Sequence, residues 1–235
     1  MPPARQERKR NLLLEPTLSV VIPALNAAAT LPATLAALGR VAGEVVVVDG
    51  GSTDATTQLA ASLGARVLVA PRGRGGQIAA GVAAASGDWL LLLHADSRLA
   101  PGWAAAAHEF IATGRGRAGY FRFSLDSSDP RARRLERAVA WRCRHLSLPY
   151  GDQGLLIART LLDSVGGIRP LPLMEDVDLV RRLGRHRLAG LEVDAVTSAA
   201  RWERDGWWRR SARNLCCLSL FFAGIPPRLI ARLYR

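Results

Sequence analysis

The chain has 235 residues, 49% of them hydrophobic, and carries a formal net charge of +12 at pH 7. A chain of this length can bury the core of one α/β domain, and this apolar content excludes an intrinsically disordered protein. No apolar stretch reaches the roughly 20 residues that a membrane-spanning helix needs, and no signal-peptide core follows the basic N-terminus. Three cysteines without disulfide or metal-binding spacing suit a reducing compartment, so we expect a cytoplasmic protein.

Strands and helices alternate along the chain from residue 17 onward. Apolar runs predict strands at residues 18–22, 44–48, 66–69 and 89–93, with a helix between each strand and the next. The glycine-rich residues 71–76 are expected to form a loop before the third of these helices. This alternation is typical of βαβ units, so we predict an α/β fold with a mostly parallel, Rossmann-like sheet flanked by helices.

The second half of the chain follows a less regular pattern. Pro101 is expected to open a helix, and residues 119–125 alternate as a half-buried strand should. Further elements are predicted at residues 129–148 (a basic helix), 155–158 (a strand), 176–183 (a helix) and 201–235 (helices, broken at Pro226 and Pro227).

Acidic side chains follow two of the predicted strands. Asp49 ends the valine run of the second strand and precedes Gly50 and Gly51, which let the backbone turn tightly. The fourth apolar run ends at His94 and Asp96. Because the carboxyl ends of parallel strands open on one crevice, this edge of the sheet is predicted to bind a nucleotide and a metal.

Four motifs resemble those of the family 2 glycosyltransferases in their order and spacing. They lie at residues 20–26, 48–54, 94–96 and 174–176, and the resemblance covers residues 18–208. It implies a GT-A fold and an inverting, metal-dependent hexosyltransferase that moves a sugar from a UDP- or GDP-linked donor to an acceptor hydroxyl. It also implies a bacterial source and a divalent cation, Mg²⁺ or Mn²⁺.

The resemblance assigns donor binding to the loops that follow the first four strands. Asp49 would contact the base, and Asp96 would bind the metal and the diphosphate, with His94 as a second metal ligand or a hydrogen-bond partner. The expected donor-binding residues are Pro23, Ala24, Asn26, Asp49, Ser52, Asp54, Arg72, Gln77, His94, Ala95 and Asp96. Two of them have simpler interpretations, since Asp54 suits a helix cap and a loop arginine such as Arg72 is usually just solvated.

Two positions depart from the family's pattern. His94 replaces the first aspartate of the common Asp-x-Asp motif, and Ala79 stands where a related bacterial subgroup has asparagine. These departures keep open a catalytically inactive module that binds a nucleotide sugar or is recruited to a membrane. A nucleotidyltransferase would share the sheet topology, but its basic glycine-rich loop should follow the first strand, where residues 23–26 read Pro-Ala-Leu-Asn.

Glu175 and Asp176 open a predicted helix, with Asp178 in the same turn. Three acids in the first turn of a helix interact favourably with the helix dipole, which is the simpler interpretation. The resemblance instead makes Asp176 the general base for the acceptor hydroxyl, with Glu175 beside it. The expected acceptor-binding residues are Gly151, Asp152, Gln153, Arg201 and Trp202. The alternatives for these five are a plain polar turn, surface charge and core packing.

Positive charge is concentrated in three segments, residues 1–10, 131–145 and 201–235. We divide the chain into a basic tail at residues 1–16, the GT-A catalytic domain at residues 17–200 and a basic, aromatic helical segment at residues 201–235. The last segment is expected to pack on the domain or on an anionic membrane surface, where the acceptor would be lipid-linked. A solvated arginine-rich surface is the simpler alternative. Since no nucleic-acid-binding motif is recognised, we expect no nucleic acid partner.

Overall fold

The computed structural model of the protein describes residues 16–39, 43–114 and 116–234. The predicted tail at residues 1–16 lies outside these residues except for Pro16. Within the described ranges, none of the helices combines the length and the hydrophobicity that crossing a bilayer requires.

One curled sheet organises the fold. Its strands are β1 (Leu18–Ala24), β2 (Glu44–Asp49), β3 (Arg66–Val69), β4 (Trp89–Leu92), β5 (Ser97–Leu99), β6 (Ala118–Leu125), β7 (Leu155–Ala158) and β8 (Leu188–Thr197). They lie in the order β3-β2-β1-β4-β7-β6-β8-β5. Neighbours from β3 to β4 are parallel, as are β6 and β8, whereas β7 and β5 run antiparallel to their neighbours. The prediction of a mostly parallel α/β sheet is confirmed.

Helices cover both faces of this sheet. They are α1 (Leu31–Leu38), α2 (Thr56–Ser62), α3 (Arg74–Ala84), α4 (Trp103–Thr113), α5 (Pro130–Leu146), α6 (Arg159–Ser164), α7 (Glu175–Leu183), α8 (Ala200–Asp205), α9 (Trp207–Phe222) and α10 (Pro227–Tyr234). Successive strand residues point to opposite faces. Val20 therefore packs with the α1 and α4 side chains, while Val21 packs with those of α3 and α7.

Three elements and one helix boundary were not predicted. β5 and α6 are too short to leave a pattern, and β8 is only partly buried and contains Gly190 and charged side chains, so it lacks a continuous apolar run. The predicted loop at residues 71–76 is wrong in its second half, because α3 already begins at Arg74. Position 75 in this helix is a glycine because its backbone packs against residue 171. An added Cβ would lie 2.5 Å from the Leu171 carbonyl oxygen. That glycine marks close packing rather than a flexible loop.

The C-terminal helix pair, α9 and α10, lies against the start of α7. Cys217 and Ile230 are fully buried and form a small apolar cluster with Leu173. The opposite side of the pair leaves Trp208 and Leu215 exposed. One side of the helix pair therefore packs on the domain, and the other faces solvent.

Candidate active site

Hydrogen bonds join the loops that follow β1 and β2. The Asn26 backbone, in the left-handed region at φ 49°, donates to the Ser52 hydroxyl at 2.8 Å, and its side-chain oxygen accepts from the Thr53 amide at 2.9 Å. Asp54 accepts from the Ala28 amide at 3.1 Å. The Thr56 hydroxyl also donates to Asp54 and, as the largest cause, lowers the pKa of that carboxyl. The predicted capping role of Asp54 thus agrees with bonds that fix both loops and the start of α2.

Asp49 lies at the end of β2, beneath its own loop. Its side chain is 3% exposed. One carboxylate oxygen accepts from the Gly51 and Ser52 amides, both at 2.9 Å, and the other accepts from the Ser52 hydroxyl. These three bonds use three of the roughly four acceptor sites of a carboxylate, and contact between Asp49 and a base stays a prediction.

Gln77 fastens the ends of β1 and β2 to the start of α3. Its amide nitrogen donates to the Ala24 carbonyl at 2.8 Å and to the Val48 carbonyl at 2.7 Å. Gly50 must lack a side chain at this place, since an added Cβ would lie 3.0 Å from the Gln77 amide. Both amide protons are therefore used within the fold, and Gln77 supports the predicted donor site rather than offering a free group to a ligand.

His94 and Asp176 meet across the short 3-10 turn at Gly151–Gln153. The Gly151 amide donates to the Asp176 carboxylate at 2.8 Å. An added Cβ on Gly151 would lie 2.6 Å from His94 Nε2 and 3.4 Å from the Asp176 carboxylate. Burial, aided by the nearby Arg74 charge, lowers the pKa of His94 to about 4, so its imidazole is neutral at physiological pH.

Asp176 also accepts a 2.8 Å bond from the Val177 amide, at the first turn of α7. The residue before this helix, Met174, has φ 65°, a conformation that non-glycine residues rarely adopt and that is often found at functional sites. This strained entry to α7 places Glu175 and Asp176 at the same end of the sheet as His94.

Glu175 is almost fully buried and forms an ion pair with Arg74, whose Nε lies 2.8 Å from the carboxylate. Glu175 is the main cause of a raised pKa at Arg74. Burial in turn raises the pKa of Glu175, and the positive charge of Arg74 opposes that change. Glu175 therefore holds Arg74 at the edge of the site and is not itself exposed to a substrate.

Asp96 is partly exposed and lines both clefts described below. Its side chain is 17% exposed, and its closest charged partner is the Arg201 guanidinium at 3.5 Å. Asp152 lies nearby, and burial, more than any neighbouring charge, raises the pKa of its carboxyl to about 6. One carboxylate oxygen of Asp152 is buried without a hydrogen-bond partner among the described residues.

Gln153 and the ring of Trp202 are held by contacts within the fold. The Gln153 amide nitrogen donates to the Phe121 carbonyl at 2.9 Å, and its oxygen accepts from the Tyr150 amide at 3.2 Å. Trp202 is 8% exposed, and its ring packs beside Phe123 at 6.3 Å between centroids. For these two predicted acceptor-binding residues, the burial agrees with the simpler packing interpretation, although Trp202 also borders a cleft.

Two clefts meet at this edge of the sheet. The loop cleft, about 420 Å³, is lined by the strand-end loops and includes Pro23, Ala24, Asn26, Arg72, Gln77 and Ala95. The helix cleft, about 110 Å³, lies under α8, α9 and α10 and includes Asp152, Asp176 and Trp202. Arg74, His94, Asp96 and Arg201 line both and form a shared wall. Asp49, Ser52 and Asp54 lie outside the lining of either cleft.

Three residues of the C-terminal helix pair are among those of the helix cleft that the sequence interpretation missed. Arg210 and Asn214 project from successive turns of α9, and Tyr234 comes from the last turn of α10. No local motif marks them, and their segment was expected to pack or to meet a membrane. Their only sequence signal is the four-residue spacing of Arg210 and Asn214, which puts both on one side of a helix.

Residues 19–169 match the profile of the family described as glycosyl transferase family 2. The chain belongs to this family. A PGL/p-HBAD biosynthesis glycosyltransferase of Mycobacterium tuberculosis is 43% identical over 94 residues, which cover 36% of this chain and 37% of that protein. The match thus spans little more than a third of the relative's length. The predicted family is confirmed.

Solved structures of glucosyl-3-phosphoglycerate synthase from Mycobacterium tuberculosis share the fold. The complex with Mn²⁺ and UDP-glucose has a TM-score of 0.65 at 22% identity and covers 96% of this chain and 86% of that one. The complex with phosphoglyceric acid has a TM-score of 0.56 at 25% identity, covering 76% and 70%. The GT-A fold that the sequence implied is confirmed by this likeness.

Proposed function

We propose that this protein transfers a sugar from a UDP- or GDP-linked donor in the loop cleft to an acceptor hydroxyl in the helix cleft. The observation that carries the proposal is the division of the site: Asp96 lies on the shared wall, whereas Asp176 lines the helix cleft and not the loop cleft. A leaving diphosphate beside Asp96 and an attacking hydroxyl beside Asp176 would then lie on opposite sides of the transferred sugar. UDP-glucose bound to the structural relative supports the donor class.

Asp176 acts as the general base in this proposal. Its carboxylate accepts the hydroxyl proton as the acceptor oxygen forms a bond to the anomeric carbon, and the bond from that carbon to the diphosphate breaks with its electron pair leaving on the phosphate. One displacement from the face opposite the leaving group inverts the anomeric carbon. The bonds from the Gly151 and Val177 amides hold the carboxylate in a fixed orientation, which is what positioned acid–base catalysis requires.

A divalent cation fits the residues of the shared wall. Among the described residues, no group of three or more His, Cys, Asp or Glu side chains could hold a metal. Asp96, with neutral His94 two residues away, could supply one or two ligands, and phosphate oxygens and water would complete the shell, as is usual for Mg²⁺. When bound, the ion would neutralise charge on the departing nucleoside diphosphate. Mn²⁺ in the structural relative supports a cation of this class.

Arg72 and Arg201 complete the proposed diphosphate site. Both line the loop cleft, and Arg72 is exposed there. Guanidinium groups bind phosphate oxygens through paired hydrogen bonds. The Arg74 charge, held by Glu175, adds to the positive potential of the shared wall.

A panel of UDP- and GDP-sugars, with Mn²⁺ or Mg²⁺ and with a chelator, tests the proposal. We expect metal-dependent release of nucleoside diphosphate from one donor, and its loss in Asp96→Ala. The matched control is Asp163→Ala, which removes an acid from α6 outside both clefts and should retain the release. No donor turnover and no calorimetric binding of UDP or GDP would instead favour an inactive binding module.

The exposed side of the C-terminal helix pair supports contact with an anionic membrane surface, where a lipid-linked acceptor would lie. Trp208, Leu215 and Phe222 follow one another at seven-residue spacing on α9 and are 72%, 63% and 47% exposed. Residues 206–234 contain five arginines and no acid. An apolar strip with basic neighbours matches the chemistry of an anionic bilayer surface. By this proposal the enzyme works at the cytoplasmic face of the membrane.

Vesicle flotation tests this contact. We expect binding to vesicles that contain phosphatidylserine, weaker binding to phosphatidylcholine alone, and loss of binding in the triple variant Trp208→Ser, Leu215→Ser, Phe222→Ser. Val69→Ser is the matched control, because Val69 is 77% exposed on β3, away from this strip. Absence of wild-type flotation on anionic vesicles would contradict the membrane contact and leave the transferase proposal untouched.

A further inference from the structure

Several buried polar atoms around the helix cleft have no hydrogen-bond partner within the described residues. They include the indole Nε1 of Trp202, the Nε of Arg210, the side-chain oxygen of Asn214 and one carboxylate oxygen of Asp152. All four residues line the helix cleft. Buried polar atoms in native proteins are nearly always paired, and leaving one unpaired costs about 1–3 kcal/mol. Four such residues around one cleft therefore point to a ligand that supplies the partners.

The type of these atoms restricts the ligand. The Trp202 indole can only donate a hydrogen bond, whereas an ionised Asp152 oxygen can only accept one. The Asn214 amide can do either, depending on which of its two terminal atoms faces the ligand. The Arg210 Nε, like the indole, only donates. A hydroxyl group both donates and accepts, so hydroxyl groups satisfy all four positions. A phosphate or carboxylate oxygen only accepts, and it would be repelled by Asp152.

The arginines of the helix cleft are already engaged. Arg74 pairs with Glu175 at 2.8 Å, Arg201 with Asp96 at 3.5 Å, and Arg210 with Asp205 at 2.8 Å. Arg74 and Arg201 also stand on the shared wall, where the proposed diphosphate binds. A negatively charged acceptor would have to compete with these carboxylates and with the diphosphate, and the Arg210 Nε, unpaired among the described residues, supplies a single N–H donor.

Arg210 instead holds the indole in place. It is buried, and its guanidinium carbon lies 5.0 Å from the centre of the Trp202 ring. Its second terminal nitrogen lies 3.5 Å from the Tyr234 hydroxyl. These contacts tie α8, α9 and α10 together at the cleft, so the C-terminal helix pair forms a rigid wall of it.

We infer that Trp202 and Asn214 recognise an uncharged, polyhydroxylated acceptor, such as a neutral sugar unit, and that the C-terminal helix pair sets this specificity. The inference rests on the proposed function, since it concerns the acceptor of the same transfer. The polar edge of the indole and the Asn214 amide would bind hydroxyls next to the one that attacks. The Trp202 ring itself stays packed against Phe123.

The test uses wild-type enzyme with its identified nucleotide sugar and two acceptor panels, with products scored by mass spectrometry. The neutral panel holds octyl glycosides of glucose, galactose, mannose and rhamnose. The anionic panel holds glycerol 3-phosphate, phosphoglyceric acid and glucuronate. We expect transfer to at least one neutral glycoside and none to the anions. Transfer to an anion in preference, or donor hydrolysis without transfer to any neutral glycoside, would overturn the inference.

Two variants test the named residues. Trp202→Phe removes the indole N–H together with the five-membered ring and keeps a six-membered aromatic ring, and Asn214→Leu replaces the amide with an apolar side chain of the same branching. Each lost hydrogen bond is expected to raise the acceptor KM about three- to tenfold, with little change in kcat or in donor hydrolysis. Ser219→Ala, on an exposed part of α9, is the control. Unchanged acceptor KM in both variants would overturn the assignment, whereas loss of donor turnover in the wild type would count against the transferase proposal itself.

Discussion

Adding one methyl group at Gly151 is expected to disable the site. The new Cβ would lie 2.6 Å from His94 Nε2, whereas non-bonded heavy atoms are comfortable at about 3.5 Å or more. Gly151→Ala must therefore displace the imidazole or the turn by about 1 Å, and the bond from the Gly151 amide to Asp176, now 2.8 Å, lengthens with it. A misplacement of about 1 Å in a catalytic group can cost about 100-fold in rate.

The assay is kcat for transfer, with UDP affinity measured by calorimetry. We expect kcat to fall about 100-fold while UDP affinity changes much less, because Gly151 itself lies outside the loop cleft and His94 is the residue of that lining which the methyl group would displace. Overpacking should also cost about 1–3 kcal/mol of stability, so folding is checked by urea unfolding. Gly190→Ala is the control, since its Cβ would meet nothing closer than 3.5 Å. A Gly151→Ala enzyme with wild-type kcat would refute the close contact of His94, Gly151 and Asp176.

Three further outcomes follow from buried groups. Arg74→Gln leaves Glu175 unpaired and should lower the free energy of unfolding by about 2–3 kcal/mol, less than for a fully buried pair because Arg74 is 36% exposed. Recovery of that stability in the double variant Arg74→Gln/Glu175→Gln would show that the unpaired Glu175 is the cause, and unchanged stability in Arg74→Gln would contradict the role of the pair. Burial raises the pKa of Asp152 to about 6, so the folded protein favours the protonated carboxyl and loses stability as pH rises through 6. The free energy of unfolding of Asp152→Asn relative to wild type should therefore grow by about 2 kcal/mol between pH 4.5 and 8. A difference independent of pH would contradict the raised pKa. Gln77→Leu removes two side-chain hydrogen bonds, and the Ala24 carbonyl keeps its bond from the Gly50 amide; the loss should cost about 1–3 kcal/mol in urea unfolding, and an unchanged midpoint would contradict its fastening role.

The sheet and its acidic edge could be predicted because they depend on local patterns. The valine run before Asp49 and the leucine run before His94 fix two strands, and parallel strands bring their ends together. β8 was missed because its partial burial leaves no continuous apolar run, and its pairing with β6 joins residues far apart in the sequence. Gly75 illustrates the same limit, since the backbone that it packs against lies almost a hundred residues away.

The place of the acidic residues could be predicted from the motifs, but the two clefts could not. Asp96 and Asp176 line one cleft, and their roles stay predictions. The side-chain amides of Gln77 and Gln153, by contrast, form hydrogen bonds to backbone groups. These contacts exist only in the folded chain. The wall formed by Arg210, Asn214 and Tyr234 depends on how the C-terminal helix pair docks, and no local motif encodes that docking.

The most direct test of the account separates donor binding from transfer at Asp176. Asp176→Asn keeps the shape, and its one side-chain oxygen can still accept the Gly151 hydrogen bond while the Val177 amide loses its acceptor. It cannot take up the acceptor proton at neutral pH. With the identified donor, metal and acceptor, we expect UDP affinity close to wild type and a loss of about 100- to 10,000-fold in kcat. Wild-type transfer by Asp176→Asn would contradict the assignment of the general base and, with it, the proposed roles of the two clefts.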